Sequence, residues 1–384
     1  MIDPGFFCNL LAVHGTEFYT GVPDSLLKSF CSWLSAPPLP GRVPEKSHII
    51  AVNEGAAIAI ASGYHLATGK IPLVYMQNSG IGNAVNPLLS LADGDVYRIP
   101  MILLAGWRGE PGTKDEPQHL KQGQVTCALF EAMGIPYMVL SGNEAGIQRQ
   151  LDECYKQVRK DSSPFALLVR KDTFSPYTPG SNAATIEDAE MTREEAIEEI
   201  IRLSPAEGVI VSTTGMASRE LYELREKYQA GHERDFLTVG SMGHASSLAL
   251  AVALHKPGLP VTCIDGDGAV LMHLGSMASI GTQKPVNLRH IVLNNGAHDS
   301  VGGQPTIARE IDICGIARCA GYTRVFSAKT PQELRHVLAA ASTGGPLFIE
   351  ALVCKGNRGN LGRPRSGPRE NKEAFMRFIS ESKS

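Results

Sequence analysis

The chain has 384 residues, a formal net charge of −3 and 20% charged residues. That length holds two full hydrophobic cores, and so small a net charge supplies no field to gather nucleic acid or an anionic membrane surface. Its eight cysteines are scattered without a CxxC pair, no apolar run reaches membrane-spanning length, and Met1-Ile2-Asp3-Pro4-Gly5 is not a basic leader, which together point to a cytoplasmic protein with reduced core thiols.

Along the chain, short β-rich apolar runs alternate with Ala-rich stretches of helical spacing, the pattern of parallel sheets wrapped by helices. In the first half the expected strands cover 48–52, 73–76, 101–105, 136–140 and 165–169. Glu54 follows the first of these and opens an apolar, Ala-rich helix. A carboxylate there needs a partner, becomes protonated, or simply complements the helix dipole. Three polar segments lie at or near strand ends: Gly21-Val22-Pro23-Asp24-Ser25, Gln77-Asn78-Ser79-Gly80, and the string from Trp107 to His119. Residues 176–190, which hold Pro176, Pro179 and Gly180 without sustained periodicity, read as a linker between domains at 1–175 and 191–384.

The second domain opens with Thr192 and Glu195 at capping-box spacing. Its expected strands cover 208–212, 236–239, 260–264, 289–293 and 347–352. Asp267, between Gly266 and Gly268, follows the third, and Asn294-Asn295 follows the fourth. Gly-Asp-Gly alone is an ordinary turn. With an amide pair 28 positions on, also at a strand end, it becomes a pair of hard oxygen ligands suited to Mg²⁺ and phosphate. Ala269 stands where an EF-hand needs a third oxygen, and neither a Walker lysine nor a full Gly-x-Gly-x-x-Gly follows any strand. The basic stretch 356–370 is either a solvated tail or an ordered, closable loop before a last helix.

The spacing from Asp267 to Asn295 resembles the signature of thiamine diphosphate enzymes. The resemblance implies two doubly wound parallel-sheet α/β domains, pyrimidine-binding then diphosphate-binding, without a middle domain. It also implies Mg²⁺ held by Asp267, Asn295 and the carbonyl of Ala297, with Glu54 activating the aminopyrimidine. Met242 would wedge beneath the bent cofactor, with Gly240 and Ser241 beside it. The diphosphate would meet Thr214, Gly215, Met216, Gly266, Gly268 and Ala269, partly through amides at helix N-termini.

The polar segments, with 295–306, make the chain resemble the phosphonopyruvate decarboxylase family and, more loosely, the sulfopyruvate decarboxylases. Membership implies Mg²⁺- and thiamine diphosphate-dependent conversion of phosphonopyruvate to phosphonoacetaldehyde and CO₂ in phosphonate biosynthesis; sulfopyruvate decarboxylation and acetolactate-type carboligation are the alternatives. It also implies a homodimer or larger oligomer with the site shared between subunits, and no nucleic-acid or membrane partner. A phosphonate calls for cationic and amide donors: Arg108, Lys114 and Arg363 are the cations, and Asn78, Ser79, Ser300, Gln304 and Thr306 the neutral donors. Asp24, then His119, lead the proton-handling candidates, and His298 joins both groups.

Overall fold

The computed structural model describes residues 1–36, 47–178, 189–340 and 344–382, which form two compact units, Met1–Ala184 and Thr185–Ser384. Most of the expected linker, 179–188, lies outside the described residues. In the first unit the strands are β1 (Tyr19–Gly21), β2 (His48–Ile50), β3 (Leu73–Gln77), β4 (Ile102–Gly106), β5 (Tyr137–Val139) and β6 (Phe165–Val169). They pair in parallel in the order β2-β1-β3-β4-β6-β5. In the second unit β7 (Val209–Ser212), β8 (Asp235–Leu237), β9 (Val261–Gly266), β10 (Leu288–Asn294), β11 (Arg324–Ala328) and β12 (Leu347–Leu352) form a parallel sheet in the order β11-β12-β10-β9-β7-β8.

Strands buried on both faces explain why the central runs read as continuous apolar stretches: Phe165–Val169 and Ile102–Gly106 are buried throughout. One face of the first sheet packs Phe7, Phe30, Tyr75 and Phe174, with the Phe7 and Phe30 rings edge-on at 6.0 Å. The other packs Ala57, Ile58 and Ala61 of the Glu54–Thr68 helix. No helix among the described residues is long and apolar enough to cross a membrane.

Two strands escaped the periodicity. β1 has only three residues, one of them Thr20, and β11 is an edge strand with only its last residue buried. The 236–239 run is shifted, because β8 spans Asp235–Leu237 and the chain leaves the sheet before Val239. Thr192 caps the Arg193–Leu203 helix in a full capping box with Glu195. The start of the 356–370 stretch is ordered: Arg358 pairs with Glu194 and Glu223, and the Gly362 amide donates to Glu223 at 2.6 Å.

In both sheets the strand order reverses beside the first strand, between β1 and β3 and between β7 and β9. Crevices at the carboxyl ends of such reversals are where open α/β sheets take ligands. Gly21 shows how tightly the first is built: its φ is +156°, and an added Cβ would overlap the Tyr75 carbonyl of β3. Gly21→Ala is therefore expected to cost on the order of 3 kcal/mol. Thermal unfolding should show the first unit melting roughly 6–12 °C lower; an unchanged transition would mean that the strand pair gives way freely.

Candidate active site

The second unit gathers its polar groups at the β7/β9 reversal. β10 pairs with β9 so that Leu293 lies opposite Gly266, which sends Asp267 and Asn295 out from neighbouring strand ends. Asp267 is 3% exposed and accepts from the Thr306 hydroxyl at 2.5 Å. Burial pushes its carboxyl up to about 6, against the Thr306 hydroxyl and backbone amides that favour the charged form. Asn295 Oδ1 accepts from the Ala297 amide at 3.0 Å, while its Nδ2 donates to Asp299 Oδ2 at 2.6 Å. Ala297 bridges Pro305 and the Thr306 amide donates to the Gly296 carbonyl at 3.0 Å, so 295–306 closes on itself and returns Thr306 to Asp267.

The glycines of this cluster keep space open. A Cβ on Gly268 would come within 3.1 Å of His298 Cε1 and 3.3 Å of Met242 Cε, and one on Gly215 within 3.4 Å of Ser300 Oγ. Met242 is presented by a turn in which Ser241 and Gly243 both have positive φ, 52° and 87°. His298 is held neutral: burial lowers it to about 4 although Asp299 opposes the shift. A buried carboxylate, an amide oxygen and nearby carbonyls are the donor chemistry of a hard divalent cation, and backbone bared by glycine suits a phosphate. The residues present fit both groups. Behind the turn, Cys263, Asp265 and His290 lie within 4.8 Å of one another. The His290 ring packs against Phe348 and shares a 2.8 Å hydrogen bond with the Tyr322 hydroxyl, supporting the turn from the core.

In the first unit Glu54 is 5% exposed at the start of its helix, whose first turn is capped by Asn53 Oδ1 accepting from the Ala56 amide at 2.8 Å. Asn83 donates to Glu54 Oε2 at 2.8 Å, and a Cβ on Gly80 would overlap Oε1. Asp24 is fully buried on the loop after β1. Its Oδ2 accepts from the Leu26 amide at 2.9 Å, and Oδ1 has no hydrogen-bond partner. Burial lifts its carboxyl to about 6, with the Leu26 amide and Arg108 opposing. His119 Nδ1 is likewise buried without a hydrogen-bond partner, and burial, then Arg108, lowers this histidine to about 4.

Residues 6–129 match the N-terminal TPP binding domain of thiamine pyrophosphate enzymes, and residues 213–351 match the C-terminal TPP binding domain. The chain is 35% identical to a phosphonopyruvate decarboxylase of Streptomyces hygroscopicus over 96% of its own length and 91% of that protein. It is also 35% identical to one of Streptomyces viridochromogenes, covering 95% of this chain and 92% of that protein. The chain belongs to the phosphonopyruvate decarboxylase family of thiamine diphosphate enzymes. A sulfopyruvate decarboxylase of Methanosarcina acetivorans is a more distant relative, 27% identical over 86% of this chain and 88% of that protein.

The geometry of each cluster sorts the expected substrate contacts. Asn78 is engaged within the unit: its Nδ2 donates to the Arg108 carbonyl at 2.8 Å and to Thr126 at 2.9 Å, and its Oδ1 accepts from the Arg108 amide. Both donors are spent on bracing a turn. The Arg108 guanidinium is engaged as well, by a fork on Asp115 and a 2.7 Å bond to Ser25. Thr306 spends its hydroxyl on Asp267, whereas Ser300 and Lys114 are exposed and Ser79 accepts from Gln77. Gln304 is buried, its main-chain carbonyl accepting from the His298 amide at 2.8 Å, and Arg363 is exposed. Sequence reasoning missed two supporting groups, Asp299 and Arg193. Arg193 left a signal, a cation in the first turn of a helix where acids are preferred.

Asp24 offers a direct test of its environment. Its carboxyl titrates near 6 when folded against 3.8 for the free side chain. The folded state therefore keeps a proton that the unfolded chain releases, and the stability this provides is present at low pH and lost as pH rises through about 6. Asp24→Asn, which cannot ionise, should gain melting temperature relative to the parent between pH 5 and 7.5, within a total of about 3 kcal/mol. A constant difference across that range would show that Asp24 does not titrate there.

Proposed function

We propose that this chain decarboxylates phosphonopyruvate to phosphonoacetaldehyde and CO₂, using thiamine diphosphate and Mg²⁺, as a step in phosphonate biosynthesis. The observation that carries the reading is the joining of Asp267, Asn295 and Thr306 into one buried, oxygen-rich turn at a sheet reversal, in a chain related almost end to end to phosphonopyruvate decarboxylases. Asp267, Asn295 and the Ala297 carbonyl would hold Mg²⁺. Thr214, Gly215, Met216, Gly266, Gly268 and Ala269 would surround the diphosphate, and Met242, with Gly240 and Ser241, would press an apolar side chain against the rings.

Thiamine diphosphate, when bound, supplies the electron sink for loss of CO₂. The chain's own groups bind, orient and move protons. Glu54, braced by Asn83 and crowded by Gly80, is positioned to exchange a proton with a ring nitrogen. Asp24, whose carboxyl titrates near neutrality, and the neutral His119 are the groups for protonating the product carbon. Lys114 and Arg363 are the cations we assign to the phosphonate, with Ser79, Ser300, His298 and Gln304 as further contacts and Arg108 lending its field from the Asp115 pair.

Sulfonate carries one charge fewer than phosphonate, and one charged hydrogen bond is worth about 1.5–3 kcal/mol. kcat/KM for phosphonopyruvate should therefore exceed that for sulfopyruvate or pyruvate by at least about tenfold. Equal or better turnover of either competitor would overturn the substrate, and acetolactate-type products would favour carboligation.

We also assign the chain to a homodimer or larger assembly in which one subunit's Glu54 and another's Asp267 serve a single site. Two helices support this. Ala245–His255 is apolar around its circumference, with Leu248 and Leu254 each 41% exposed, and Glu54–Thr68 leaves Leu66 73% exposed; apolar helices of this kind normally lie against a partner. Glu54→Gln and Asp267→Ala subunits, each inactive alone, should regain roughly a quarter of parental activity when mixed and reassembled. Silent mixtures would place both residues in one subunit's site. The cysteines, all free thiols and mostly buried, suit the reducing cytoplasm to which we assign the protein.

A further inference from the structure

Asp299 joins its own loop to two distant segments through one oxygen. Its Oδ2 accepts from Asn295 Nδ2 at 2.6 Å, from Arg193 Nη1 at 3.0 Å and from the Gly356 amide at 2.9 Å. An ionised carboxylate only accepts. The end of the Asn295 amide that faces Asp299 must therefore be its NH₂, which turns the carbonyl oxygen away toward the Ala297 amide, 3.0 Å distant, with one lone pair still to offer. Metal ligation needs that oxygen, so the orientation of the Asn295 amide decides whether it can act as a ligand at all.

The carboxylate is itself held rigidly. Arg193 is 7% exposed and Glu220 1%. The guanidinium meets both oxygens of Glu220, at 2.7 and 2.8 Å, and spends another nitrogen on Asp299. A charge this desolvated persists only when its hydrogen bonds are met on several sides. Here they are met, and in consequence neither Arg193 nor Asp299 is free to turn. The position of Arg193 in the first turn of its helix, where the dipole opposes a cation, shows that tertiary pairing has overridden local preference.

We propose that Asp299, clamped by the Arg193–Glu220 pair, is a positioning residue that fixes the metal-ligating face of Asn295. The inference rests on Asp267 and Asn295 being the Mg²⁺ ligands. Because Gly356 shares the clamp, donating to Asp299 and accepting from Arg193 at 3.3 Å, the same carboxylate also anchors the start of the C-terminal segment.

The test is Mn²⁺ binding to the full chain with thiamine diphosphate present, followed by electron paramagnetic resonance, beside melting temperatures taken without metal. Asp299→Ala should weaken Mn²⁺ binding by about 10- to 100-fold, the range for losing a group that orients a metal ligand. Asp299→Asn can place its amide oxygen where Oδ2 lies and should recover most of that loss. At saturating Mg²⁺ the Asp299→Ala enzyme should regain turnover, which general damage to the fold would not allow. Parental Mn²⁺ affinity in Asp299→Ala overturns the inference. Asp267→Ala separates the two levels of the argument: if it binds Mn²⁺ as tightly as the parent, the metal assignment itself fails, whereas loss of binding there with parental affinity in Asp299→Ala sinks only the positioning role. If Asp299→Ala does not fold, Arg193→Lys decides, since lysine lacks the fork that grips Glu220 while reaching Asp299. Mn²⁺ affinity several-fold weaker and turnover regained at high Mg²⁺ are then expected, with a lowered melting temperature from the loosened Glu220 pair, and unchanged affinity overturns the proposal.

Discussion

The register of β10 against β9 is the constraint on which the second unit's chemistry depends. With Leu293 opposite Gly266, the two strands end level with each other, and the residues that follow them leave the sheet side by side. A slip of one residue would turn alternate side chains to the opposite face and part the carboxylate from the amide. The strand order does the rest, since β7 lies on the other side of β9 and brings Gly215 to the same crevice. Thr306 comes from further along, returned to Asp267 by the 295–306 loop closing on itself. Asp267, Asn295 and Gly215 lie within the first few residues beyond three parallel strands, in short turns rich in glycine.

Burial sets the electrostatics in both units. Asp24 and Asp267 are desolvated, and both are lifted to about 6. The two carboxyls are nonetheless held differently. Asp267 accepts a hydroxyl and sits among oxygen donors, so a cation would restore its charge, whereas Asp24 keeps one oxygen without a hydrogen bond and faces Arg108 only as a distant charge. Arg108 is committed to Asp115, which holds it in a fork together with the Gly109 amide. A guanidinium so fully paired acts through its field rather than as a free hydrogen-bond donor.

Part of this was legible in the chain. The runs at 165–169 and 347–352 coincide with β6 and β12, because central parallel strands are apolar on both faces and need no alternation to be seen. β1 was invisible: three residues are too few for periodicity, although this strand sits at the reversal of the first sheet. β11, at the edge, is half exposed and carries Arg324, so its composition resembles a loop. For Asn78 the chain shows only the side chain's type and place. Its residue type and place after a strand suit a donor, and only the packed structure shows both its hydrogens already used.

The sequence by itself carried the likeness to thiamine diphosphate enzymes in Asp267 and Asn295, and the likeness to phosphonopyruvate decarboxylases in its polar segments, because motifs at strand ends are local features that need no knowledge of packing. It determined the parallel α/β class for the same reason, through runs whose hydrophobicity is set residue by residue. Only the tertiary structure decided which polar groups remain available. Arg193 and Asp299 lie 106 positions apart, and Arg193 and Gly356 lie 163 apart, yet they share one carboxylate with Asn295. Hydrogen bonds over such separations exist only once the sheet has formed, and burial, which shifts Asp24 and neutralises His298, is a property of the folded interior that no local pattern encodes.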